Sequence, residues 1–403
     1  MFWLFKKHWP LIVFGMICTF LAGFGQTFLL AQFIPSLQEQ FALSRTEVSF
    51  VYSLATLIAS LGLGKIGELL DRWSLTAFSL FTLSGLVAGF FLLSFAEGII
   101  TIGLAFFLIR GFGQMNFGLM ASTTIAKLFG RHRGKALTWA QFGRSIGEGF
   151  LPLIAALVVL NFSLRWSLLM MALILMVITF SMLTLLVPKL ETLTPLYTDN
   201  DQVTKRQKSG PEKWTWKIYL QEKNALLLIA MGTVLPFAVT GLFFQQGSLA
   251  TDFGIDPKLM ASSFMIYSAV QLLGNLVWGP LVDRFTARRV LPFSPLAMIG
   301  GMLILLTWDH VFAVYFYMGS LALSVGMNSM ARNSFWAEAY GLEQLGKLKG
   351  VDSMVMVMGT AIAPTVFAGI LDLGFVFQEL MMMLIGLSAL TWVGLNYLSM
   401  QFR

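Results

Sequence analysis

Charge is scarce in this 403-residue sequence: Asp, Glu, Lys and Arg make up 12% of it, against 57% hydrophobic residues. Soluble globular domains contain about 25% charged residues, so this composition excludes an ordinary water-soluble protein. The single cysteine, Cys18, excludes an intramolecular disulfide. The three histidines are far apart and no cluster of Cys and His occurs, so we predict neither a metal site nor a cofactor.

Two short motifs match patterns found in enzymes. Gly143-Arg-Ser145-Ile-Gly147 fits the pattern around a hydrolase serine, and Gly62-Leu-Gly64-Lys-Ile-Gly67 fits a dinucleotide-binding pattern. Both patterns act only where a strand turns into a helix, and neither motif has that setting here. We therefore expect no enzymatic activity.

Long apolar stretches, most of about 20 residues or more, have the length that a helix needs to cross a bilayer. The first half contains six, at residues 10–33, 48–69, 75–95, 99–127, 136–160 and 166–187. The second half contains six more, at residues 225–249, 259–281, 290–308, 311–337, 351–371 and 377–398. The sequence thus predicts an all-α membrane protein with twelve transmembrane helices.

The second half repeats the first at a constant offset. Gly67, Asp71, Arg72, Gly134, Lys135, Gly147 and Pro152 recur without a gap as Gly279, Asp283, Arg284, Gly346, Lys347, Gly359 and Pro364. A gap-free match of this kind indicates two pseudo-symmetric six-helix halves, a build found in many secondary transporters. We predict an N-terminal half at 1–188, a polar cytoplasmic linker at 189–224 and a C-terminal half at 225–403.

Basic residues are distributed unevenly between the two sides of the predicted spans. Most of the 27 Lys and Arg residues fall in loops on the side of the N-terminus, and only Arg45, Arg165 and Lys258 fall in loops on the other side. The positive-inside rule therefore places both termini in the cytoplasm. The net charge of +7 reflects this topology, so nucleic acid is not expected as a partner.

Several motifs resemble those of the major facilitator superfamily. They are the loop segments Gly67 to Arg72 and Gly279 to Arg289, the Arg110-Gly111 pair in the fourth span, and Gly143, Gly147, Gly149 and Pro152 in the fifth. The resemblance covers the whole chain. Arg133-Gly134-Lys135 and Ala339-Tyr-Gly341 are similar to loops of bacterial monocarboxylate and oxalate porters.

The resemblance implies a transporter that works by alternating access, as a monomer in a bacterial inner membrane. It also implies that the loop residues Asp71, Arg72, Asp283 and Arg284 gate the cytoplasmic side. A carboxylate in such a loop can lie at the positive N-terminal end of a neighbouring helix and hold that side closed.

Three arginines, Arg110, Arg144 and Arg332, fall inside predicted spans. A charge at the centre of a membrane costs about 2.5–3.5 kcal/mol on insertion scales, so each is a functional candidate. Arg144 and Glu148 are four residues apart on one helix and share a face with Gln141, so we predict that they form an ion pair.

The role of these charges stays open at the level of sequence. The Arg144–Glu148 pair is either a structural salt bridge or a site where an incoming anion competes for Arg144 and thereby couples its entry to a proton on Glu148. Arg332 either contacts substrate or forms a gate or an interhelical tie with Glu338 or Asp352 near the cytoplasmic helix ends, so these two carboxylates are also gating candidates. Arg110 likewise has either a structural role or a role in binding substrate or coupling transport to protons.

Further polar residues fall within the spans and are weaker candidates for a wet site at the membrane midplane. They are Gln26, Gln114, Gln245, Gln246, Tyr267, Gln271, Asn275 and Asn328. Any one such residue more often forms a hydrogen bond between helices than a substrate contact.

The excess of positive charge within the spans leads to the main functional hypothesis. The protein is expected to carry a small organic anion, with a carboxylate-like group, in symport with protons or in exchange for another anion. One alternative is a proton-driven exporter of apolar or cationic compounds, in which Glu148 carries the proton. The other is a membrane receptor or scaffold that does not transport.

Overall fold

Helices make up almost all of the described chain, as the apolar stretches predict. The structure is a computed structural model that describes residues 2–129, 133–188, 222–340 and 345–402. No strand occurs within these ranges. The chain forms two compact units, Met1–Gln207 and Lys208–Arg403. The prediction of an all-α protein is confirmed, and most of the predicted linker lies outside the described residues.

The first unit contains ten α-helices and one π-helical segment in its described part. The helices are α1 (Phe2–Ala22), α2 (Thr27–Leu30), α3 (Ile34–Phe41), α4 (Arg45–Leu61), α5 (Leu63–Arg72), α6 (Leu75–Ser94), α7 (Ile99–Leu108), α8 (Gly118–Phe129), α9 (Arg133–Asn161) and α10 (Leu164–Leu185). The π-helical segment, Ile109–Phe117, joins α7 to α8 and makes the fourth span continuous.

The second unit contains eight α-helices in its described part. They are α11 (Lys223–Phe244), α12 (Gln246–Asp252), α13 (Pro257–Phe285), α14 (Ala287–Val290), α15 (Ser294–Thr307), α16 (Phe312–Tyr340), α17 (Leu345–Asp372) and α18 (Phe377–Gln401). Pro152 and Pro364, which the sequence repeat equates, both lie inside long helices, α9 and α17.

Ten helical stretches of the described residues are long and apolar enough to cross a membrane. The two other predicted spans, 48–69 and 311–337, are also helical, but they are shorter or more polar. The second predicted span divides at Gly62 into α4 and α5, and α16 contains Arg332 and several other polar residues. A total of twelve spans fits these helices.

The first span is not one regular helix, although its apolar pattern predicts one. A 3-10 turn at Gly23–Gly25 follows α1, and Gln26 is extended with φ −84° and ψ 155°. The seventh span is interrupted in a similar way at Gln245, between α11 and α12. These breaks leave main-chain groups outside the helical hydrogen-bond pattern, where side chains of other helices can reach them.

Within each unit, helices that are distant in sequence pack against each other. In the first unit α1 packs on α9 and α6 packs on α10; in the second, α13 and α15 pack on α16, and α11 packs on α17. These contacts decide which of the polar side chains within the spans meet.

Candidate functional site

Arg144 and Glu148 form the predicted ion pair on α9. The Arg144 Nε atom lies 2.9 Å from Glu148 Oε1. The two side chains differ greatly in exposure, 49% for Arg144 and 4% for Glu148. Arg144 therefore reaches outward from a carboxylate that is itself buried.

Arg144 lines a polar cavity of about 230 Å³ within the first unit. The lining comes from α1 and the break that follows it, from the fourth span, and from α9. Its polar members are Thr19, Gln26, Gln114, Ser122, Gln141 and Arg144. Four residues singled out in the sequence, Gln26, Gln114, Gln141 and Arg144, are thus brought together here, although they come from three separate spans.

Two buried acceptor atoms at this site have no hydrogen-bond partner among the described residues. They are Gln114 Oε1 and Glu148 Oε2. Buried polar atoms in native proteins are almost always paired, with protein, water or ligand. Gln114 Oε1 can therefore accept a hydrogen bond from a small molecule in the cavity, where Arg144 supplies positive charge. Glu148 Oε2 belongs to the ion-pair partner of Arg144, and Glu148 is not among the residues that line the cavity.

Arg110, by contrast, is held by its own unit and does not line this cavity. Its Nη1 atom donates to the Gly25 carbonyl at 2.7 Å, and its Nε atom donates to Thr56 Oγ1 at 3.0 Å. The guanidinium lies 5.1 Å from the centre of the Tyr52 ring, and the Tyr52 hydroxyl is 2.8 Å from Thr27 Oγ1. These contacts favour the structural alternative for Arg110.

The Arg110 contact depends on a close crossing of the first and fourth spans. A Cβ atom placed on Gly113 would lie 2.7 Å from the Cα atom of Gly25, and one placed on Gly25 would lie 2.3 Å from the Gln114 nitrogen. Such distances allow only glycine at both positions, and small residues let membrane helices approach closely. The crossing brings the Gly25 carbonyl within reach of Arg110.

Arg332 is also held inside its own unit. Its Nη1 atom donates to the Gly232 carbonyl at 2.6 Å, and its Nη2 atom donates to the Asp352 carboxylate and, at 3.4 Å, to Thr233 Oγ1. Asn328 donates to the same Gly232 carbonyl at 3.2 Å. Of the two carboxylates predicted as partners, Asp352 is the one that Arg332 contacts.

Glu338 has a different role from the ion pair considered in the sequence. Its carboxylate accepts hydrogen bonds from the backbone nitrogens of Ala287, at 2.7 Å, and Arg288, at 3.3 Å, at the start of α14. A carboxylate at a helix N-terminus satisfies unpaired N–H groups and complements the helix dipole. Glu338 thus ties the end of α16 to the loop that follows Asp283 and Arg284.

The four loop residues predicted to gate are described to different extents. Asp283 and Arg284 are exposed at the end of α13, and Arg284 lies 5.3 Å from the centre of the Phe285 ring. Arg72 is exposed and lies 4.0 Å from Glu68. The side chain of Asp71 lies outside the described residues. Gating by these residues stays a prediction.

Three of the remaining polar candidates of the second unit, Gln245, Gln271 and Tyr267, form hydrogen bonds within that unit. Gln245 donates to the Pro364 carbonyl at 3.3 Å, and Gln271 donates to the Tyr267 hydroxyl at 3.3 Å on the same helix. Gln246 is buried and Asn275 is half-buried. A role for them in substrate binding stays a prediction.

Sequence reasoning missed four polar residues that shape these sites. Thr19 and Ser122 line the cavity, while Tyr52 and Thr56 surround Arg110. Tyr52 and Thr56 are four residues apart on α4, so a search for polar pairs on one helix face would have found them. Thr19 and Ser122 carry no such signal, since single hydroxyls are common in membrane helices.

Comparison with solved structures shows the same fold. The nucleoside transporter NupG matches with a TM-score of 0.68 and 13% identity, over 96% of this chain and 98% of that one. A bacterial homolog of the human lysosomal transporter Spinster, in an inward-facing and unoccupied conformation, matches with a TM-score of 0.67 and 14% identity, over 97% of this chain and 93% of that one. At these identities the likeness concerns the fold alone.

Sequence relatives point to the same class of protein. Three transporters of Schizosaccharomyces pombe, each described as uncharacterized, are 23% identical over 161 residues, which is 39% of this chain. The match spans about a third of their length. The resemblance to monocarboxylate and oxalate porters is not confirmed. The profile of the Major Facilitator Superfamily matches residues 15–246 and 226–400. The chain therefore belongs to the major facilitator superfamily and is a multi-pass membrane transporter.

Proposed function

We propose that this transporter carries a small organic anion with a carboxylate-like group and that Arg144 binds that group. The single observation that carries the proposal is the difference among the arginines within the spans. Arg110 and Arg332 are buried and donate to main-chain carbonyls of their own units, whereas the Arg144 side chain is 49% exposed and lines a polar cavity. A guanidinium in such a position offers paired donors to a carboxylate.

The same pair supports coupling of the anion to a proton. Glu148 is buried, and Arg144 is its partner in the described ion pair. An anion that draws Arg144 away leaves a buried carboxylate without its cation, and such a group is neutralised by binding a proton. We infer that substrate and proton enter together, or that a second anion replaces the first in exchange.

The first experiment measures thermal unfolding of the detergent-purified protein against carboxylates, nucleosides, sugars, amino acids and lipophilic cations at two pH values. A ligand at a hundred times its dissociation constant stabilises the native state by about 2.7 kcal/mol, which is readily detected. We expect stabilisation by a carboxylate, lost in Arg144→Ala. Lys258→Ala, which removes an exposed positive charge outside the cavity, is the matched control and is expected to behave as wild type.

The Arg144→Ala variant leaves Glu148 buried without a cation, so a loss of folding must be separated from a loss of binding. The double variant Arg144→Ala/Glu148→Gln has no stranded charge and is expected to fold yet still not bind the anion. Flux into sealed proteoliposomes, driven by a pH gradient, then tests transport of the ligand that the unfolding assay identifies.

Other outcomes would support the two alternatives. Stabilisation by lipophilic cations or neutral compounds alone, sensitive to Glu148→Gln and not to Arg144→Ala, would contradict the anion proposal and favour a proton-driven exporter. Binding without flux in proteoliposomes would favour a receptor or scaffold.

The remaining features of the transporter are proposed on the sequence and the family. We propose a monomer in a bacterial inner membrane with both termini in the cytoplasm, because basic residues concentrate on the side of the termini. The boundaries 1–188, 189–224 and 225–403 are proposed for the two halves and the linker. Asp71, Arg72, Asp283 and Arg284 are proposed to act in gating with Glu338 and Asp352.

A further inference from the structure

The cavity in the first unit contains one charged side chain, Arg144, among the described residues that line it. Its other polar side chains are neutral amides and hydroxyls, from Gln26, Gln114, Gln141, Thr19 and Ser122. A guanidinium offers paired donors that match one carboxylate. A second carboxylate on the same ligand would lose its water without meeting a cation, which is unfavourable. The lining therefore favours a ligand with a single carboxylate.

Two oxygen atoms of this lining need hydrogen-bond donors, which a carboxylate cannot supply. Gln114 Oε1 is buried and has no partner among the described residues. Ser122 uses its own proton on the carbonyls of Gly118 and Leu119, at 3.0 and 3.1 Å, so its oxygen is left to accept. An ionised carboxylate only accepts hydrogen bonds, whereas a hydroxyl both donates and accepts them. A carboxylate that also has hydroxyl groups would therefore satisfy both oxygens.

The amides of the cavity come from three separate spans. Gln26 lies at the break after α1, Gln114 in the π-helical segment of the fourth span, and Gln141 on α9 one turn before Arg144. Each amide has an acceptor oxygen and two donor hydrogens, so each can both give and receive a hydrogen bond with a hydroxyl. A ligand with hydroxyls on several carbons therefore meets more of these amides than a ligand with one.

The apolar part of the lining is made of small side chains. Its members are Ala22, Gly23, Gly118, Ala121, Leu137 and Ala140. No aromatic ring occurs among the lining residues in the part of the chain that the structure describes. Ligand pockets are commonly lined by large hydrophobic and aromatic side chains, which hold the apolar parts of a ligand. This cavity therefore suits a compact polar acid better than an aromatic or long-chain acid.

The size of the cavity sets the size of the ligand. Its volume of about 230 Å³ equals that of roughly eight water molecules, at about 30 Å³ each in the liquid. A compact acid of a few carbons replaces a water cluster of this size, and its hydroxyls take over the hydrogen bonds that the waters made.

We propose that the substrate is a small sugar acid, a monocarboxylate with hydroxyl groups on most of its other carbons. This inference rests on the proposed function, because it takes Arg144 as the partner of the carboxylate. It adds that hydroxyl groups, bound by Gln26, Gln114, Gln141 and Ser122, select this acid over plain carboxylates of the same length.

The test compares acids of equal chain length by isothermal titration of the detergent-purified protein. The pairs are glycerate with propionate and gluconate with hexanoate. Each bound hydroxyl is expected to raise affinity about five-fold, so the hydroxylated acid binds more tightly in both pairs and the ratio is larger in the six-carbon pair. Sorbitol, which has no carboxylate, and glucarate, which has two, are each expected to bind at least several-fold more weakly than gluconate.

Two variants locate the selection in this cavity. Gln26→Met and Gln141→Met keep the length of the side chain and remove its amide, so each is expected to weaken gluconate several-fold and to leave hexanoate unchanged. Gln40→Met, at the exposed end of α3, is the matched control and is expected to bind both acids as wild type does. An unchanged unfolding midpoint without ligand shows that each variant folds.

The possible failures of this inference and of the proposed function are distinguishable. Equal affinities within both pairs, lost in Arg144→Ala/Glu148→Gln, would overturn the sugar acid and leave the organic anion standing. Wild-type binding of gluconate by Gln26→Met and Gln141→Met would likewise overturn selection by this cavity. Sorbitol that binds as tightly as gluconate, or no binding of any of the four acids, would overturn the proposed function as well.

Discussion

The Arg110 guanidinium donates to the Gly25 carbonyl at 2.7 Å and so joins the fourth span to the break in the first. The second unit repeats this arrangement, because Arg332 on α16 donates to the Gly232 carbonyl of α11 at 2.6 Å. In each unit, one buried arginine thus joins the fourth membrane span of that unit to its first span. Arg144 is the arginine within the spans that faces a cavity instead.

Replacement of Arg110 is expected to destabilise the protein. Arg110→Met leaves the buried Gly25 carbonyl without its donor at a helix break, which costs about 2 kcal/mol of unfolding free energy. Unfolding in mixed detergent micelles measures this change. Arg72→Met is the control, since the Arg72 side chain is 77% exposed and exposed ion pairs contribute little. Equal stability of the two variants would contradict the structural role of Arg110.

Because the first and fourth spans cross closely, we expect two glycines of the fourth span, Gly113 and Gly118, to differ in how well they tolerate alanine. Gly113→Ala places a Cβ atom 2.7 Å from Gly25 Cα and is expected to cost about 1–3 kcal/mol by overpacking. Gly118→Ala meets no atom within 4 Å and is expected to be neutral or slightly stabilising, because alanine favours helix. Thermal unfolding of the two variants side by side distinguishes these outcomes.

Arg332 and Asp352 are expected to show strong coupling in stability. Removal of one member of a buried ion pair leaves an unpaired charge, which costs about 3–5 kcal/mol. The double variant Arg332→Met/Asp352→Leu has no stranded charge and is expected to lose much less than the sum of the two single variants. A double-mutant cycle of unfolding free energies measures the difference, and additive effects would argue against the pairing.

The unpaired Gln114 oxygen predicts a preference among carboxylates, which rests on the proposed function. A ligand hydroxyl that donates to Gln114 Oε1 adds about 1 kcal/mol, or roughly five-fold in affinity. Lactate is therefore expected to bind more tightly than propionate, and malate more tightly than succinate. Gln114→Met should abolish the difference while plain carboxylates still bind. Equal affinities in the wild type would exclude the hydroxyl contact and leave the anion proposal standing.

Parts of the site were predictable because they depend on one helix. Arg144 and Glu148 are four residues apart, and this spacing brings them together on any α-helix. The choice of Asp352 over Glu338 as the partner of Arg332 was not predictable, because it depends on how α16 crosses α17. The break of the first span at Gly23–Gly25 was hidden as well, since its residues are apolar and continue the hydrophobic pattern.

The sequence by itself determined that the chain lies in a lipid bilayer, and it determined the helices, the repeat and the Arg144–Glu148 pair. Hydropathy, periodicity and spacing along one helix are local properties. Only the tertiary structure decided which charge faces a cavity. Arg110, Arg144 and Arg332 look alike in the sequence, each an arginine within an apolar span. Their environments differ because carbonyls from helices far away in the sequence reach Arg110 and Arg332, whereas Arg144 lies beside open space.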